Sequence, residues 1–380
     1  MKIHEIPTPA YVLDEEKLKK NLGILKSVSQ RAGCKILLAQ KAFSMFCEYP
    51  LIGQYLAGTT ASGLYEARLG YEEMGKENHI FSPAYRESEI DEIAEICGHI
   101  IFNSFSQLRK YKEKCQGKAS IGLRINPECS TQEGHAIYDP CAPGSRLGIP
   151  FETFQREVTA DPELLDGVEG LHFHTLCEQN ADDLKKTLEA VEAKFAPYLQ
   201  QMKWLNMGGG HHITREDYDV ECLIRCVHHM KETYGLEIYL EPGEAIALNA
   251  GYLVTEVMDV VENGIKILIL DASAACHMPD VLEMPYRPPL KDSGLSGEKK
   301  YTYRLSSCTC LAGDVIGDYS FDREIHPGDR LYFEDMAIYS MVKNNTFNGM
   351  PLPDIALRHP DGSCEIVRQF GYEDFKGRLS

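Results

Sequence analysis

Four short motifs place reactive side chains or glycines directly after apolar stretches of the sequence. They are Lys41 in AQKAFS, His174 in HFHT, the run Gly208, Gly209 and Gly210, and Glu241 in EPGE. A desolvated lysine can lose its proton and form a Schiff base with a carbonyl group. Glycines let backbone N–H groups approach a phosphate, a histidine can stack on a flat ring, and a carboxylate beside a pyridine nitrogen keeps that nitrogen protonated. The four motifs form one coherent set if the fold brings them to a single rim.

Each motif also has an ordinary structural interpretation. Taken alone, Lys41 is consistent with a surface lysine at the end of a strand. The glycine run is equally consistent with a tight turn, and Glu241 with a carboxylate that only caps the following segment. The positions of these residues in the fold must decide between the two interpretations.

A metal site is the other chemistry that the histidines could serve. His172 and His174 share one face of a strand, as metal-binding histidines do in barrel amidohydrolases, but an ion would need further ligands. Asp271 and His277 are the available candidates, and no cysteine pair has the CxxC spacing of a zinc site. We therefore predict that the protein binds no metal.

The spacing of apolar stretches predicts the elements that must hold these motifs. Eight strand-like runs occur in the first two-thirds of the chain: Lys35–Ala39, Gly58–Ala61, His79–Ser82, His99–Asn103, Ser120–Asn126, Val168–His174, Lys203–Met207 and Glu237–Leu240. Helix-length stretches separate most of them, which indicates parallel strands joined by crossover helices. Eight such units favour an α/β fold with a (β/α)8 TIM-type barrel, whose active sites lie at the carboxyl ends of the strands. An open doubly wound sheet is the alternative, but its typical GxGxxG turn is missing after Ala39.

The pattern changes near Gly251. Short runs separated by turn residues follow, at Val254–Val261, Ile265–Leu270, Tyr301–Ser306, Arg330–Phe333 and Cys364–Val367. They predict an antiparallel β-domain. We therefore expect two domains, a barrel over residues 10–250 and a mainly antiparallel β-domain over residues 251–380 that also includes residues 1–9.

Composition restricts the possible partners and the location. The chain of 380 residues has a net charge of −18, which argues against nucleic acid or an anionic membrane as a partner. Its apolar runs are too short to cross a bilayer, and the N-terminal sequence MKIHEIPTPAYVL lacks the apolar stretch of a signal peptide. An odd number of cysteines, thirteen, in a long chain without an export signal predicts reduced thiols and a cytoplasmic location.

In order and spacing, the motifs resemble those of the ornithine and diaminopimelate decarboxylases and their alanine-racemase-like relatives, the fold-type III enzymes that use pyridoxal 5′-phosphate. The resemblance covers nearly the whole chain. It implies that Lys41 binds the cofactor covalently, that His174 stacks on its ring, and that Glu241 contacts the pyridine nitrogen. The glycine run would hold the phosphate. Because racemases of this fold have an arginine in place of Glu241, the resemblance favours a decarboxylase.

The resemblance extends into the predicted β-domain. Cys310 in CTCLAGD resembles the catalytic cysteine that this family supplies from the second subunit of a homodimer. Its ordinary interpretation is a small buried residue. Asp314 closes the same motif, and Tyr339 resembles the tyrosine near the cofactor phosphate.

Two departures indicate a subfamily. Glu244 follows EPG where ornithine-type enzymes have a phosphate-binding arginine, and LCE follows HFHT where they have glycine and serine. An acid beside a phosphate is unfavourable unless it faces a cation, such as the tail of a cationic substrate. The strings HTLCE, EPGEA and DASAACHMPD resemble those of carboxynorspermidine decarboxylases. We accordingly assign substrate binding to Glu244, Asp280 and Asp314.

The implied activity is the decarboxylation of a small cationic carboxylated polyamine, carboxynorspermidine or carboxyspermidine, to norspermidine or spermidine in polyamine biosynthesis. A diaminopimelate-type or other basic amino-acid decarboxylase is the alternative enzyme. An inactive decarboxylase-like regulator of polyamine metabolism is the non-enzymatic alternative, but it should lack Lys41 or Cys310, and both are present.

Overall fold

A computed structural model describes residues 1–132 and 139–380 of the chain. These residues form two compact units, a sheet unit (Met1–Lys20 and Ala247–Ser380) and a barrel unit (Asn21–Ile246). The first strand, β1 (Ala10–Asp14), pairs with strands of the sheet unit. The sheet unit therefore includes more of the N-terminal segment than the nine residues expected. Helix α1 (Glu15–Ala32) follows directly.

Eight parallel strands close into a ring in the barrel unit. The strands of this part of the chain are β2 (Lys35–Ala39), β3 (Gly58–Ala61), β4 (Glu77–Phe81), β5 (His99–Phe102), β6 (Ser120–Asn126), the two-residue β7 (Ile149–Pro150), β8 (Val168–His172), β9 (Trp204–Asn206) and β10 (Glu237–Leu240). The ring runs in the order β5-β4-β3-β2-β10-β9-β8-β6 and closes through a β5–β6 pairing, while β7 pairs outside it. The predicted (β/α)8 barrel is confirmed.

Helices connect the strands and cover the ring. They are α2 (Tyr49–Ile52), α3 (Leu64–Glu73), α4 (Ile90–Ile96), α5 (Phe105–Cys115), α6 (Phe151–Ala160), α7 (Ala181–Leu199), α8 (Val220–Tyr234) and α9 (Glu244–Ala247), with a 3₁₀ turn at Phe46–Glu48. Helix α7 buries residues spaced three or four apart, which is the pattern of an amphipathic helix packed on one face. Asp219 begins α8 by accepting a hydrogen bond from the Cys222 N–H at 2.8 Å.

A single tryptophan fills the barrel interior beneath the strand ends. Trp204 and Asn206 alternate along β9 and point to the same face. The Trp204 ring lies so close to two neighbouring strands that a Cβ at Gly122 or Gly170 would lie 2.3 or 2.0 Å from it. Its indole Nε1 donates to Ser120 Oγ at 2.8 Å. Strands β8 and β6, the two that follow β9 around the ring, therefore need glycine where the indole passes.

The sheet unit consists of one eight-stranded sheet. Its strands after β1 are β11 (Gly251–Asn263), β12 (Ile265–Leu270), β13 (Tyr301–Ser307), β14 (Val315–Phe321), β15 (Arg330–Glu334), β16 (Asp354–Arg358) and β17 (Cys364–Arg368). Their order is β14-β13-β12-β11-β1-β16-β17, with β15 also paired to β11. Most pairs are antiparallel, as predicted, but β12–β13 and β1–β16 are parallel. Strands β14 and β16 were not predicted.

Short helices complete the sheet unit. They are α10 (Ala274–His277), α11 (Asp280–Glu283), α12 (Ser340–Lys343) and α13 (Tyr372–Lys376), with a 3₁₀ turn at Phe347–Gly349. Across the two ranges that the structure describes, no helix has the length and apolar run that a bilayer crossing requires.

Candidate active site

The carboxyl ends of the barrel strands enclose a pocket of about 360 Å³. It is lined by residues that lie on or directly after six of the strands: Ala39, Lys41, Thr60, Ala61, Ser62, Phe81, Arg124, His172, His174 and Glu241. Lys41, His174 and Glu241 therefore meet at one rim, as the strand-end argument predicted. The glycine run packs behind two of them, because Gly209 lies against both His174 and Glu241.

Glu241 is a buried carboxylate held by two neighbours at the base of the pocket. Asn206 Nδ2 donates to Glu241 Oε1 at 2.7 Å, and His172 Nε2 lies 3.2 Å from Glu241 Oε2. Burial opposes ionisation, but the hydrogen bonds from His172 and Asn206 outweigh it and lower the pKa of Glu241 to about 2. The side chain is therefore a permanent negative charge at neutral pH. Sequence reasoning missed Asn206, although its position at the end of β9 was a usable signal.

Lys41 has its amine beside charges of both signs. Burial, together with the nearby Arg124 cation, lowers the pKa of Lys41, and Glu241 opposes this effect. The side chain keeps an exposed surface because it lines an open pocket, whereas its amine is surrounded by protein. A lysine in this setting has a larger neutral fraction and is a better nucleophile toward a carbonyl carbon.

Arg124 is a buried cation to which sequence reasoning gave no role. Its guanidinium lies 4.5 Å from the centre of the Phe81 ring and donates to the His174 carbonyl at 3.1 Å. Burial lowers the pKa of Arg124 to about 10, although Glu241 opposes the shift. A buried cation is stable only when an anion lies close to it. Arg124 therefore supplies a fixed positive charge to the pocket and Glu241 a fixed negative one.

The glycine run is a tight turn that fixes His174. Gly208 has φ +68°, and a Cβ there would lie 2.3 Å from the Phe173 carbonyl oxygen. The Gly209 N–H donates to His174 Nδ1 at 2.9 Å, and the Gly208 N–H donates to Asn206 Oδ1 at 2.9 Å. The Gly208 and Gly209 N–H groups are thus used within the protein, and the expectation that the run serves a phosphate stays a prediction.

The His174 ring is neutral and fixed in orientation. Burial, and then the Lys41 cation, hold the pKa of His174 well below its usual value. Its Nδ1 accepts from Gly209, so Nε2 carries the ring proton. A neutral ring on the pocket wall suits stacking on a flat cofactor, and the ionised Glu241 suits a pyridinium nitrogen. Together with the Lys41 amine, this donor set fits pyridoxal 5′-phosphate.

Glu244, the second acid of the EPGE motif, faces a histidine and another acid. Glu244 Oε1 lies 3.5 Å from His212 Nε2, and Glu244 shares a hydrogen bond with Glu178. Sequence reasoning named Glu244 but missed both neighbours. Glu178 lies in the LCE string that was noted only as a departure from ornithine-type enzymes.

Within the ranges that the structure describes, His172 and His174 do not belong to a group of possible metal ligands. His172 contacts Glu241, while Asp271 and His277, once considered as further ligands, belong to the sheet unit. Among the described residues, the group of possible ligands close enough to hold an ion is Glu77, His79 and His99.

Asp314 in the sheet unit is an enclosed acid whose oxygens are all occupied. Three hydroxyl groups donate to Oδ2, each at 2.6 Å, and two backbone N–H groups donate to Oδ1 at 2.9 and 3.2 Å. The donors are Ser273, Ser307 and Thr309 for Oδ2, and Ala274 and Ala275 for Oδ1. Asp314 is only 1% exposed. This position makes it an anchor for the chain before Cys310 rather than a surface that a substrate can contact.

Cys310 lies in an exposed loop of the sheet unit. Its backbone N–H donates to Asn348 Oδ1 at 2.6 Å, and the following Leu311 is also exposed. The alternative interpretation of Cys310 as a small buried residue is therefore wrong, and its catalytic role stays a prediction. Tyr339, just before α12, adopts φ +53° and is half-buried, a backbone conformation that non-glycine residues rarely adopt.

Asp280 already has a cationic neighbour. Lys343 Nζ forms an ion pair with Asp280 and a second one with Glu283 at 2.8 Å. A substrate cation at Asp280 would have to share this carboxylate with Lys343 or displace it.

Comparison with known proteins agrees with this geometry. The profile of the family described as "Pyridoxal-dependent decarboxylase, C-terminal sheet domain" matches residues 10–337. The chain is 44% identical to a carboxynorspermidine/carboxyspermidine decarboxylase of Campylobacter jejuni, over 98% of this chain and 99% of the relative. It is 42% identical to a carboxyaminopropylagmatine decarboxylase of Synechocystis sp., over 100% of this chain and 97% of the relative. A crystal structure of carboxynorspermidine decarboxylase from Campylobacter jejuni, complexed with norspermidine, superposes with a TM-score of 0.91 at 43% identity, over 98% of this chain and 100% of that one.

Proposed function

The chain belongs to the pyridoxal-dependent decarboxylases of the ornithine, diaminopimelate and arginine family, and from this premise we propose that it removes CO2 from carboxynorspermidine or carboxyspermidine. The products are norspermidine and spermidine, which places the enzyme in polyamine biosynthesis. The observation that carries the substrate class is Glu244, a mostly buried carboxylate beside the glycine turn. A carboxylate there attracts a cationic tail, whereas the distal carboxylate of diaminopimelate would be repelled.

Pyridoxal 5′-phosphate, when bound, supplies the ring that takes up the electron pair left by the departing CO2. Lys41 would hold the cofactor covalently through its amine, whose pKa is lowered by burial and by Arg124. Glu241, ionised throughout the neutral pH range, keeps the proton on the pyridine nitrogen. His174 would pack its neutral ring against the cofactor, and the glycine run and Tyr339 would hold the phosphate.

Proton delivery completes the reaction. After CO2 leaves, the thiol of Cys310 or the freed amine of Lys41 protonates the α-carbon. We propose a homodimer in which each copy supplies Cys310 to the pocket of the other, supported by the exposure of the loop that carries Cys310 and Leu311. A cytoplasmic location is supported by the thirteen free cysteines, all among the described residues.

A second candidate substrate is carboxyaminopropylagmatine, favoured by the 42% identity to the Synechocystis relative. Its tail ends in a guanidinium, which also suits a carboxylate but requires a flatter acceptor geometry than an ammonium. Diaminopimelate remains the alternative with an amino-acid tail.

Product analysis with purified protein tests the proposal. Carboxynorspermidine, carboxyspermidine, carboxyaminopropylagmatine and meso-diaminopimelate are offered separately with added pyridoxal 5′-phosphate. We expect norspermidine or spermidine from the first two, and a loss of at least about a thousandfold in rate for Lys41→Ala. The matched control is Lys110→Ala, which removes an exposed lysine on α5 and should act like the wild type. If only diaminopimelate is decarboxylated, to lysine, or only carboxyaminopropylagmatine, to aminopropylagmatine, the proposed substrate is contradicted. The proposed cofactor chemistry would stand in either case.

A further inference from the structure

The acid pair Glu178 and Glu244 lies at the rim of the barrel, on segments that follow β8 and β10. The chain around Glu178 is tied to the glycine turn, because the Gln179 N–H donates to the Gly210 carbonyl at 3.0 Å and the His212 N–H donates to the Gln179 carbonyl at 3.3 Å. Glu178 is exposed as a whole residue, although its carboxyl group is partly enclosed beside Glu244, and Glu244 is mostly buried, with 18% of its side chain exposed. The pair is therefore rigidly placed and open to a ligand on one side.

The two carboxyl groups hold one proton between them. They share a hydrogen bond, which requires a proton on one of them. Burial and the neighbouring Glu244 raise the pKa of Glu178 to about 7, and His212 and Arg215 oppose this increase. Close carboxylates behave in this way because both cannot be ionised together without a neighbouring cation.

Four titratable or charged side chains of the described residues lie near the acid pair, namely His212, Arg215, Cys177 and Lys41. His212 and Arg215 face it from the segment after the glycine turn. Cys177 precedes Glu178, and burial together with both acids raises the pKa of its thiol to about 11, so this group stays neutral. Lys41 lies near Cys177 and lowers that pKa slightly. None of these groups neutralises both carboxylates.

His212 is an independent sign of a missing ligand. The residue is 7% exposed, and neither ring nitrogen has a hydrogen-bond partner among the described residues. Its Nε2 is aimed at Glu244 Oε1, but at 3.5 Å the separation is too long for a well-formed hydrogen bond. A buried imidazole without partners is costly. An ammonium group placed at the pair would offer it and both acids N–H donors.

We propose that Glu178, Glu244 and His212 form the acceptor site for an ammonium group of the substrate tail, and that this ammonium replaces the proton shared by the two acids. The inference rests on the proposed substrate class and adds Glu178 and His212 as residues that determine specificity. Tail binding releases the shared proton to solvent, so binding is coupled to pH.

The sign of the coupling follows from competition. Below about pH 7 the proton occupies the pair and opposes the ammonium, so the affinity for the tail falls by up to about tenfold for each unit that the pH decreases. Above that pH both acids are ionised, and the affinity reaches a plateau. A single permanently ionised carboxylate would show no such dependence in this range.

Calorimetric titration of the cofactor-loaded enzyme with norspermidine tests the site without catalysis. Titrations between about pH 6 and about pH 8.5, each in two buffers of different ionisation enthalpy, count the protons released. The wild type should release about half a proton near pH 7. Glu178→Gln should bind at least tenfold more weakly above pH 7.5, with no proton release and a flat pH dependence. Glu244→Gln should behave alike, and Glu152→Gln, which changes an exposed glutamate at the start of α6, should match the wild type.

The failures of the two proposals are distinguishable. If the enzyme decarboxylates the carboxylated polyamines but Glu178→Gln keeps the wild-type KM and proton release, the acid-pair site is overturned and the proposed function stands. If the wild type neither binds norspermidine nor turns over any carboxylated polyamine, the proposed function itself is overturned.

Discussion

Two buried acids, Glu241 in the barrel unit and Asp314 in the sheet unit, differ in how much of their charge remains available. Glu241 accepts from His172 and Asn206 and still lines a pocket. Asp314 accepts five hydrogen bonds from its own unit and faces no open space. A side chain at the end of a barrel strand keeps one side open to a ligand, whereas an acid that anchors a loop is enclosed by the donors it orders. Burial and a lowered pKa alone therefore do not identify a site.

The largest expected effect separates these two acids through stability. Asp314→Ala leaves three hydroxyl and two N–H donors without their acceptor and should lower the free energy of unfolding by about 3–4 kcal/mol. Asp318→Ala, in strand β14 four residues further along the chain, loses only a partly exposed ion pair with Arg304 and should cost about 0.5 kcal/mol. Urea denaturation of both variants is the measurement, and equal midpoints would contradict the anchoring role.

The pH dependence of the free energy of unfolding, measured for variants at the same two positions, sharpens the test. Burial raises the pKa of Asp314, but hydrogen bonds from Ser273, Ser307 and Thr309 outweigh it and lower the pKa. The stability that this acid contributes is therefore present above its unfolded pKa of about 3.9 and lost as the pH falls through the lower folded value. Asp314→Asn should lose that part of the acid transition while Asp318→Ala retains it.

The next effect concerns catalysis at Glu241. Glu241→Gln keeps the shape of the side chain but removes its charge and replaces one acceptor oxygen with an NH2 donor, so kcat should fall about a hundredfold, or about 2.7 kcal/mol, with little change in KM. Glu237→Gln, at the other end of β10, removes an acid paired with Lys35 at 2.9 Å and should leave kcat within about twofold. Steady-state kinetics decide the matter, and an unchanged kcat in Glu241→Gln would remove the distinction between the two buried acids.

The smallest expected effect is the difference in stability between two glycine variants. This difference separates the cost of a steric clash at the glycine turn from the cost of a left-handed backbone conformation. Gly208 and Gly235 have nearly the same φ, +68° and +71°, but a Cβ at Gly235 meets no atom within 4 Å. Gly235→Ala should therefore cost about 1 kcal/mol from conformation alone, and Gly208→Ala about 1–2 kcal/mol more from collision with Phe173 and His174. Thermal denaturation measures this difference. Titration with pyridoxal 5′-phosphate should also show about tenfold weaker binding for Gly208→Ala only, and equal losses would contradict the role of the turn in fixing His174.

The barrel was predictable because its strands are short apolar runs separated by helix-length stretches. All eight strands were identified, and the strand-end rule then predicted that Lys41, His174 and Glu241 meet at one rim. Two residues to which sequence reasoning assigned no role, Arg124 in the pocket and Asn206 behind Glu241, obey the same rule but have no distinctive motif around them.

The sheet unit was less predictable because its pairings are long-range. Strand β14, VIGDYSF, has Gly317 and Asp318 inside its apolar pattern, and β16 is a five-residue strand whose partner β1 lies at the other end of the chain. The donors to Asp314 come from both sides of the 280–300 region, so no local pattern could reveal that its oxygens are occupied. Likewise, the importance of Glu178 depends on contacts with Glu244 and His212 that the sequence separates widely.

The tryptophan enclosed by Gly122 and Gly170 has a practical consequence for spectroscopy. Trp204 is the only tryptophan of the chain and is 3% exposed inside the barrel. Its fluorescence emission should therefore be blue-shifted in the folded protein and should move to longer wavelength only when the barrel opens. The sheet unit contributes no indole, so emission and far-ultraviolet circular dichroism recorded on the same sample follow different parts of the molecule. A denaturation experiment on the unmodified protein can thus reveal whether the two units melt together or in sequence.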